Sequence, residues 1–174
     1  MSTVAIVGIV VAIIIVGWIG FRLLNPIVTL PFHPEYQNDT PVAEENEAVQ
    51  TGALLAGTVS PLLDFTKADY DAAIKTDKLI VLYFYANWCP ICKEETKKAL
   101  YPAFNELTTD RVVGFRINYK DNETDSDEKA LAVKYGVPYQ HTKVFVRNGE
   151  RILKAPDGWD KARYLKEINN AVVR

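Results

Sequence analysis

Hydrophobic and polar positions divide this chain into three unlike parts. From Val4 to Leu24, 17 of 21 residues are apolar, three are glycine, and Arg22 is the only charge. At 1.5 Å rise per residue a helix over that stretch is about 31 Å long, matching the roughly 30 Å hydrocarbon core of a bilayer. Residues 9–16 are strongly β-branched, which disfavours a water-exposed helix but not one in lipid, where the backbone must bond to itself. Trp18, Phe21 and Arg22 would then lie at an interface that suits amphipathic rings and long cations. A cleaved secretory signal fits poorly: Met1-Ser2-Thr3 carries no Lys or Arg, the apolar run is too long, and Leu24-Asn25-Pro26 is not a small-x-small site. The pattern predicts an uncleaved N-terminal transmembrane anchor over residues 1–24, with too little flanking charge to orient it.

Residues 25–60 lose the pattern. They hold five acids (Glu35, Asp39, Glu44, Glu45, Glu47), no Lys or Arg, and Pro26, Pro31, Pro34 and Pro41, the composition of an acidic spacer. Residues 61–174 alternate in period. An apolar run at 62–65 precedes helical spacing over 67–75, with Thr66 as N-cap. Residues 79–85, LIVLYFY, read as a central strand buried on both faces. Helical period follows over 91–107, with a kink expected at Pro102. Next come a strand at 112–118, a helix at 128–135 stopped by Gly136, strands at 143–147 and 151–154 around Asn148-Gly149, and an amphipathic helix over 160–173. The predicted order β-α-β-α-β-α-β-β-α is that of an α/β domain, a mixed sheet with helices on both faces.

The 174 residues are 48% hydrophobic, with 20 Lys+Arg against 22 Asp+Glu. The overall charge of -2 conceals an acidic spacer and a slightly basic head. No second apolar stretch supports a multi-span channel, and no basic patch suggests a nucleic-acid partner. Neither G-x-S-x-G nor G-x-x-x-x-G-K is present, so the nucleophile elbow and phosphate loop are excluded.

The chemistry rests on two cysteines, Cys89 and Cys92, in Asn87-Trp88-Cys89-Pro90-Ile91-Cys92-Lys93. They fall where the buried strand gives way to the long helix. Unpaired N–H groups and the positive end of the helix dipole favour a thiolate at Cys89, and Pro90 occupies the first turn, where its missing N–H costs nothing. Cys92, one turn on, can attack a mixed disulfide formed by Cys89. Three other readings remain at this point: two buried core thiols, a structural disulfide across a loop too small to constrain the unfolded chain much, and half of a metal site, for which the only histidines are His33 and His141.

The strings YFYANWCPICKEE, GFRIN and YGVPYQHTKVFVRNGE resemble the active-site strand, turn and helix, the following strand, and the cis-proline loop with terminal hairpin of the thioredoxin family. Around the cysteines the chain is most similar to thioredoxin-like domains of membrane-bound disulfide reductases. The resemblance covers nearly all of residues 61–174. It implies a thioredoxin-like fold, Cys89 as attacking thiol, Cys92 as resolving thiol, Trp88 shielding the site, and no cofactor beyond a redox-active Cys89–Cys92 disulfide. It departs twice. The family's buried Asp, six residues before the first cysteine, is Tyr83 here, a poor base with an ordinary pKa near 10, which turns attention to water, Lys93 or Glu94. The family's cis-proline is replaced by His141, followed by the expected Thr142, while Pro138 lies three residues early. His141 beside the thiols would hold Cys89 as thiolate, or join Cys89 and Cys92 as a third metal ligand; otherwise it is a loop residue bonded to nearby backbone.

The expectation is a membrane-tethered thiol–disulfide oxidoreductase, acting through the C-P-I-C dithiol on disulfide- or dithiol-bearing proteins, with a separate recycling partner. By resemblance it is a reductase whose head faces the extracytoplasmic space. The alternative is a metal-binding or delivery module using Cys89, Cys92 and His141.

Overall fold

The computed structural model describes residues 50–173. The expected anchor, and the spacer as far as residue 49, lie outside them. Among the described residues no helix is long and apolar enough to cross a membrane.

The strand predicted from LIVLYFY is β3 (Leu79–Tyr85), at the centre of a six-stranded mixed sheet. In chain order the other strands are β1 (Leu54–Ala56), β2 (Leu62–Asp64), β4 (Val112–Asn118), β5 (Thr142–Arg147) and β6 (Glu150–Ala155). Across the sheet they run β1-β2-β4-β3-β5-β6. β3 pairs parallel with β4 and antiparallel with β5, and β2 extends the sheet parallel to β4.

Strand alternation sorts the β3 side chains into two cores. Leu79, Val81 and Tyr83 pack with Leu100, Phe104, Phe145 and Ile168. Ile80, Leu82 and Phe84 pack with Tyr70, Phe115, Leu131 and Val144. The helices on the two faces are α1 (Lys67–Ala73), α2 (Pro90–Glu95), α3 (Tyr101–Glu106), α4 (Ser126–Lys134) and α5 (Lys161–Val173).

Local signals carry most of this. The Thr66 side chain caps α1 by accepting from the Asp69 N–H. Asn148 and Gly149 have φ of 51° and 79°, the left-handed pair that a two-residue hairpin turn requires. The expected single long helix is broken differently from the prediction. A π-helical turn, Thr96–Leu100, separates α2 from α3, with the Tyr101 N–H reaching back to the Thr96 carbonyl. Pro102 has no N–H to give to Lys98, and the chain accommodates this one turn before the proline by widening the helix. α4 starts two residues earlier than expected, because Asp125 and Glu128 form a reciprocal capping box.

β1 lies inside the stretch read as spacer. It pairs antiparallel with β2, and the Thr51 and Gly52 N–H groups donate to the Asp69 carboxylate at 3.0 and 2.7 Å. Residues 51–56, which the sequence pattern assigns to the spacer, are therefore part of the sheet and its ties.

Candidate active site

The turn between β3 and α2 is tied on one side. The Asn87 N–H donates to Asp121 Oδ2 at 2.8 Å, Asn87 Nδ2 to Asn122 Oδ1 at 2.6 Å, and Trp88 Nε1 to the Lys120 carbonyl at 2.9 Å. Trp88 is 56% exposed, so its indole lies on the surface with its polar edge anchored, as expected of a ring flanking the site rather than filling it.

Cys89 is the N-cap of α2, Pro90 opens the helix, and the Cys92 N–H donates to Cys89 Sγ at 3.3 Å. The two sulfurs are joined in a disulfide, with Cα atoms 5.3 Å apart. Cys89 is 3% exposed and Cys92 fully buried, and Ala86 packs against both. Of the two sulfurs, that of Cys89 belongs to the less deeply buried residue.

Tyr83 has no role as a base. Its side chain is fully buried and its hydroxyl has no hydrogen-bond partner. Burial, reinforced by the nearby Glu95 charge, pushes its ionisation far above the ordinary phenol range. Lys93 is exposed, and Glu94 is exposed and paired with Lys98 at 2.6 Å. The buried acid is the next residue, Glu95, one turn after Cys92 on the inward face of α2.

Glu95 collects four donors. Oε2 bonds His141 Nε2. Oε1 accepts from Lys143 Nζ at 2.7 Å, Tyr164 Oη at 2.6 Å and the Trp159 N–H at 3.3 Å. Burial alone would raise its pKa, but the His141, Lys143 and Tyr164 bonds outweigh it and hold Glu95 below the usual carboxylate range. Lys143 is fully buried in β5. Its burial pulls its own ionisation down, opposed chiefly by Glu95, and it also donates to the Asp157 carbonyl at 2.6 Å. Cys92 and Glu95 share the buried face of α2, and Lys143 interrupts an apolar strand run. Those two misplaced charges were the signal for this cluster, which the sequence reading passed over.

His141 belongs to it. It stands immediately before β5 with φ 65°, its N–H donating to the Phe84 carbonyl at 2.6 Å. Among the described residues every peptide bond is trans, so Pro138 does not supply the family's cis bond by a loop shift. His141 is thus held between the end of β3 and the helix turn after Cys92, its backbone by Phe84 and its imidazole by Glu95. Thr142 is buried and its hydroxyl donates to the Tyr139 carbonyl at 3.0 Å, closing the loop. Among the described residues no three of His, Cys, Asp and Glu are grouped to hold a metal ion. The Cys89/Cys92/His141 ligand set therefore lacks its geometry, because His141 is committed to Glu95. His33 lies outside the described residues.

A vicinal dithiol–disulfide pair at a strand-to-helix turn, backed by a buried charged cluster, defines a thiol–disulfide exchange centre on an α/β sheet. The chain belongs to the thioredoxin family: the family model described as Thioredoxin matches residues 61–171. Thioredoxin-T of Drosophila melanogaster is 33% identical over 94 residues, 52% of this chain and 53% of that protein. Thioredoxin H4 of Arabidopsis thaliana is 34% identical over 92 residues, 52% of this chain and 70% of that protein. The thiol:disulfide interchange protein DsbD of Neisseria meningitidis is 30% identical over 129 residues, 72% of this chain but 20% of that protein. The chain thus spans about half of the first relative and a fifth of the last. Among solved structures, a thioredoxin from Thermus thermophilus superposes with TM-score 0.53 at 21% identity, over 67% of this chain and 89% of that one. That likeness concerns the fold.

Proposed function

We propose that this protein is a thiol–disulfide oxidoreductase that reduces disulfides of partner proteins. The observation that carries the reading is Cys89 at the N-cap of α2, its sulfur accepting the Cys92 N–H at 3.3 Å, where backbone dipoles stabilise negative charge. Starting from the dithiol, the Cys89 thiolate attacks one sulfur of the substrate disulfide. A mixed disulfide forms and the first substrate thiolate leaves. Cys92 then gives up its proton and attacks the Cys89 sulfur, releasing the second substrate thiol and closing the Cys89–Cys92 disulfide. Two electrons pass to the substrate, and a separate dithiol partner must return them. Pro90 fixes the helix start, Trp88 and Thr142 shape the loops on either side, and His141 with Glu95 sets the polarity behind the pair.

The reductase direction draws its support from the resemblance of the local sequence around the cysteines to thioredoxin-like domains of membrane-bound disulfide reductases. The proposed organisation is an anchor over residues 1–24, supported by the apolar length of Val4 to Leu24, then a spacer and a head whose extracytoplasmic placement is supported by the resemblance alone. Cys89→Ser should abolish dithiothreitol-driven reduction of a protein disulfide such as that of insulin, and surviving activity would overturn the exchange reading. Carbonate-resistant membrane association that disappears on deleting residues 1–24 tests the anchor.

A further inference from the structure

Residues 119–125 join β4 to α4 and carry the ties on the cysteine turn. Asp121 accepts the Asn87 N–H, Asn122 accepts the Asn87 side chain, and the Lys120 carbonyl accepts Trp88 Nε1. Lys120 has φ 62°, a left-handed conformation that is unfavourable for a residue with a Cβ and persists only where its surroundings enforce it. Both ends of the loop meet on one side chain. Glu128 Oε1 accepts the Asn118 N–H at 2.7 Å, from the last residue of β4, and Oε2 accepts the Asp125 N–H at 2.9 Å, from the cap of α4. Between those ends, Asp121 Oδ1 accepts the Glu123 N–H at 3.0 Å and the Thr124 hydroxyl at 2.8 Å. The carboxylate that holds Asn87 is therefore set by the same turn that Glu128 closes.

Glu128 is 4% exposed, and the charges that face it have its own sign: Asp125 from the cap and Asp121 from the loop. On α4 its neighbours Asp127 and Lys129 are of opposite charge. The cations nearest it on β4 and the loop are committed elsewhere, Arg116 to Asp64 and Tyr101 and Lys120 to the Pro138 carbonyl. Tyr119 donates to the Val137 carbonyl, and the cysteine turn offers Asn87 and Trp88, which do not titrate. Burial, with the two aspartates, outweighs the two backbone donors and pushes Glu128 up to about 7. A loop that opens to water returns it to the ordinary carboxylate value near 4.5, so rising pH favours the open loop.

We infer that Glu128 is a positioning residue of the exchange centre: neutral, it locks both ends of the 119–125 loop and with them the grip on Asn87 and Trp88; charged, it loosens that loop and frees the turn that carries Cys89. Its meaning for activity rests on the exchange reading above. Cys89 is only 3% exposed with the turn in place, so loosening the turn opens the disulfide to reagents and partners.

The test measures how fast a water-soluble phosphine reduces the Cys89–Cys92 disulfide of the full chain between pH 5.5 and 8, in the wild type and in Glu128→Gln, which stays neutral throughout. Because both proteins meet the same phosphine at the same pH, the reagent's own ionisation cancels in the ratio. The ratio of wild-type to variant rates should rise about tenfold from pH 5.5 to 8, as the linkage between a raised and an ordinary carboxylate requires. Asp125→Asn keeps a good N-cap but removes one of the acids facing Glu128, and it should cut that rise by at least about half. Should Glu128→Gln fail to fold, the pH profile of Asp125→Asn against the wild type carries the same test. A ratio that stays flat with pH, or a rise of full size in Asp125→Asn, would overturn the positioning role. The phosphine reports on the turn itself, so a pH-dependent ratio in a protein that cannot reduce insulin would overturn the exchange reading and leave the role of Glu128 standing.

Discussion

Two buried glutamates brace the active site from opposite sides, and their neighbours shift their ionisation in opposite directions. Glu95 lies behind the cysteines with two potential cations, a tyrosine and a backbone N–H on its oxygens, and is held below the usual carboxylate range. Glu128 starts α4 beneath the loop that ties down Asn87 and Trp88. It accepts only backbone N–H groups, from Asn118 at 2.7 Å and Asp125 at 2.9 Å. Burial, with Asp125 and Asp121 nearby, pushes it up to about 7. Both are nearly sealed from solvent. What separates them is the sign of the surrounding charge, so burial alone predicts neither.

The largest effect should come from breaking the Glu95 side. Glu95→Gln leaves the Lys143 ammonium buried without its counter-charge, and removing one partner of such a pair costs about 3–5 kcal/mol. Urea unfolding at neutral pH should show that loss. A Glu95→Leu/Lys143→Met double variant should recover most of it, since an apolar pair replaces an ionic one at little net cost. If the double variant is no better than the single, the pair is not the reason for the loss.

The second prediction contrasts the two acids by pH. Because Glu95 is depressed, its contribution to stability is full above the ordinary carboxylate value near 4.5 and is lost as pH falls through its lower folded value. Glu128 is raised, so its contribution is full below 4.5 and is lost as pH rises through about 7. Thermal midpoints measured from pH 5 to 8 should therefore decline more steeply in the wild type than in Glu128→Gln. Equal slopes would show that Glu128 is ionised throughout.

Third, His141→Ala should cost about 1–2 kcal/mol by leaving one Glu95 oxygen short of a donor. It should also raise the Glu95 pKa, measurable by carbon-detected titration of the labelled carboxylate. An unmoved Glu95 would mean that Lys143 and Tyr164 alone hold its charge.

The asymmetry also explains what the chain made legible before its structure. β3, β4, the Asn148-Gly149 hairpin and the Thr66 cap follow from rules acting within a few residues, and all appear at or within a residue of their expected places. The Cys89–Pro90–Ile91–Cys92 turn is equally local. Glu95 was missed because its meaning comes from Lys143, 48 positions away, and Tyr164, 69 positions away; as a lone acid beside Glu94 it looks like a solvated helix residue. β1 was missed because three residues carry too little period to stand out from an acidic spacer. The helix break was foreseen at Pro102, but the backbone spreads a missing donor over the preceding turn.

The smallest expected effect tests how the Glu128 side reaches the cysteines. Its route passes through hydrogen bonds near the surface, from Asn87 to Asp121 and Asn122 and from Trp88 Nε1 to the Lys120 carbonyl, whereas the Glu95 side uses charges sealed inside. Trp88→Phe keeps a ring but deletes the indole donor, and the freed Lys120 carbonyl can turn to water. The loss should be about 0.5–1 kcal/mol, with the Cys89–Cys92 redox equilibrium against glutathione unchanged within about twofold. A larger shift in that equilibrium would mean that the loop, and not only the buried cluster, sets the electrostatics of the pair.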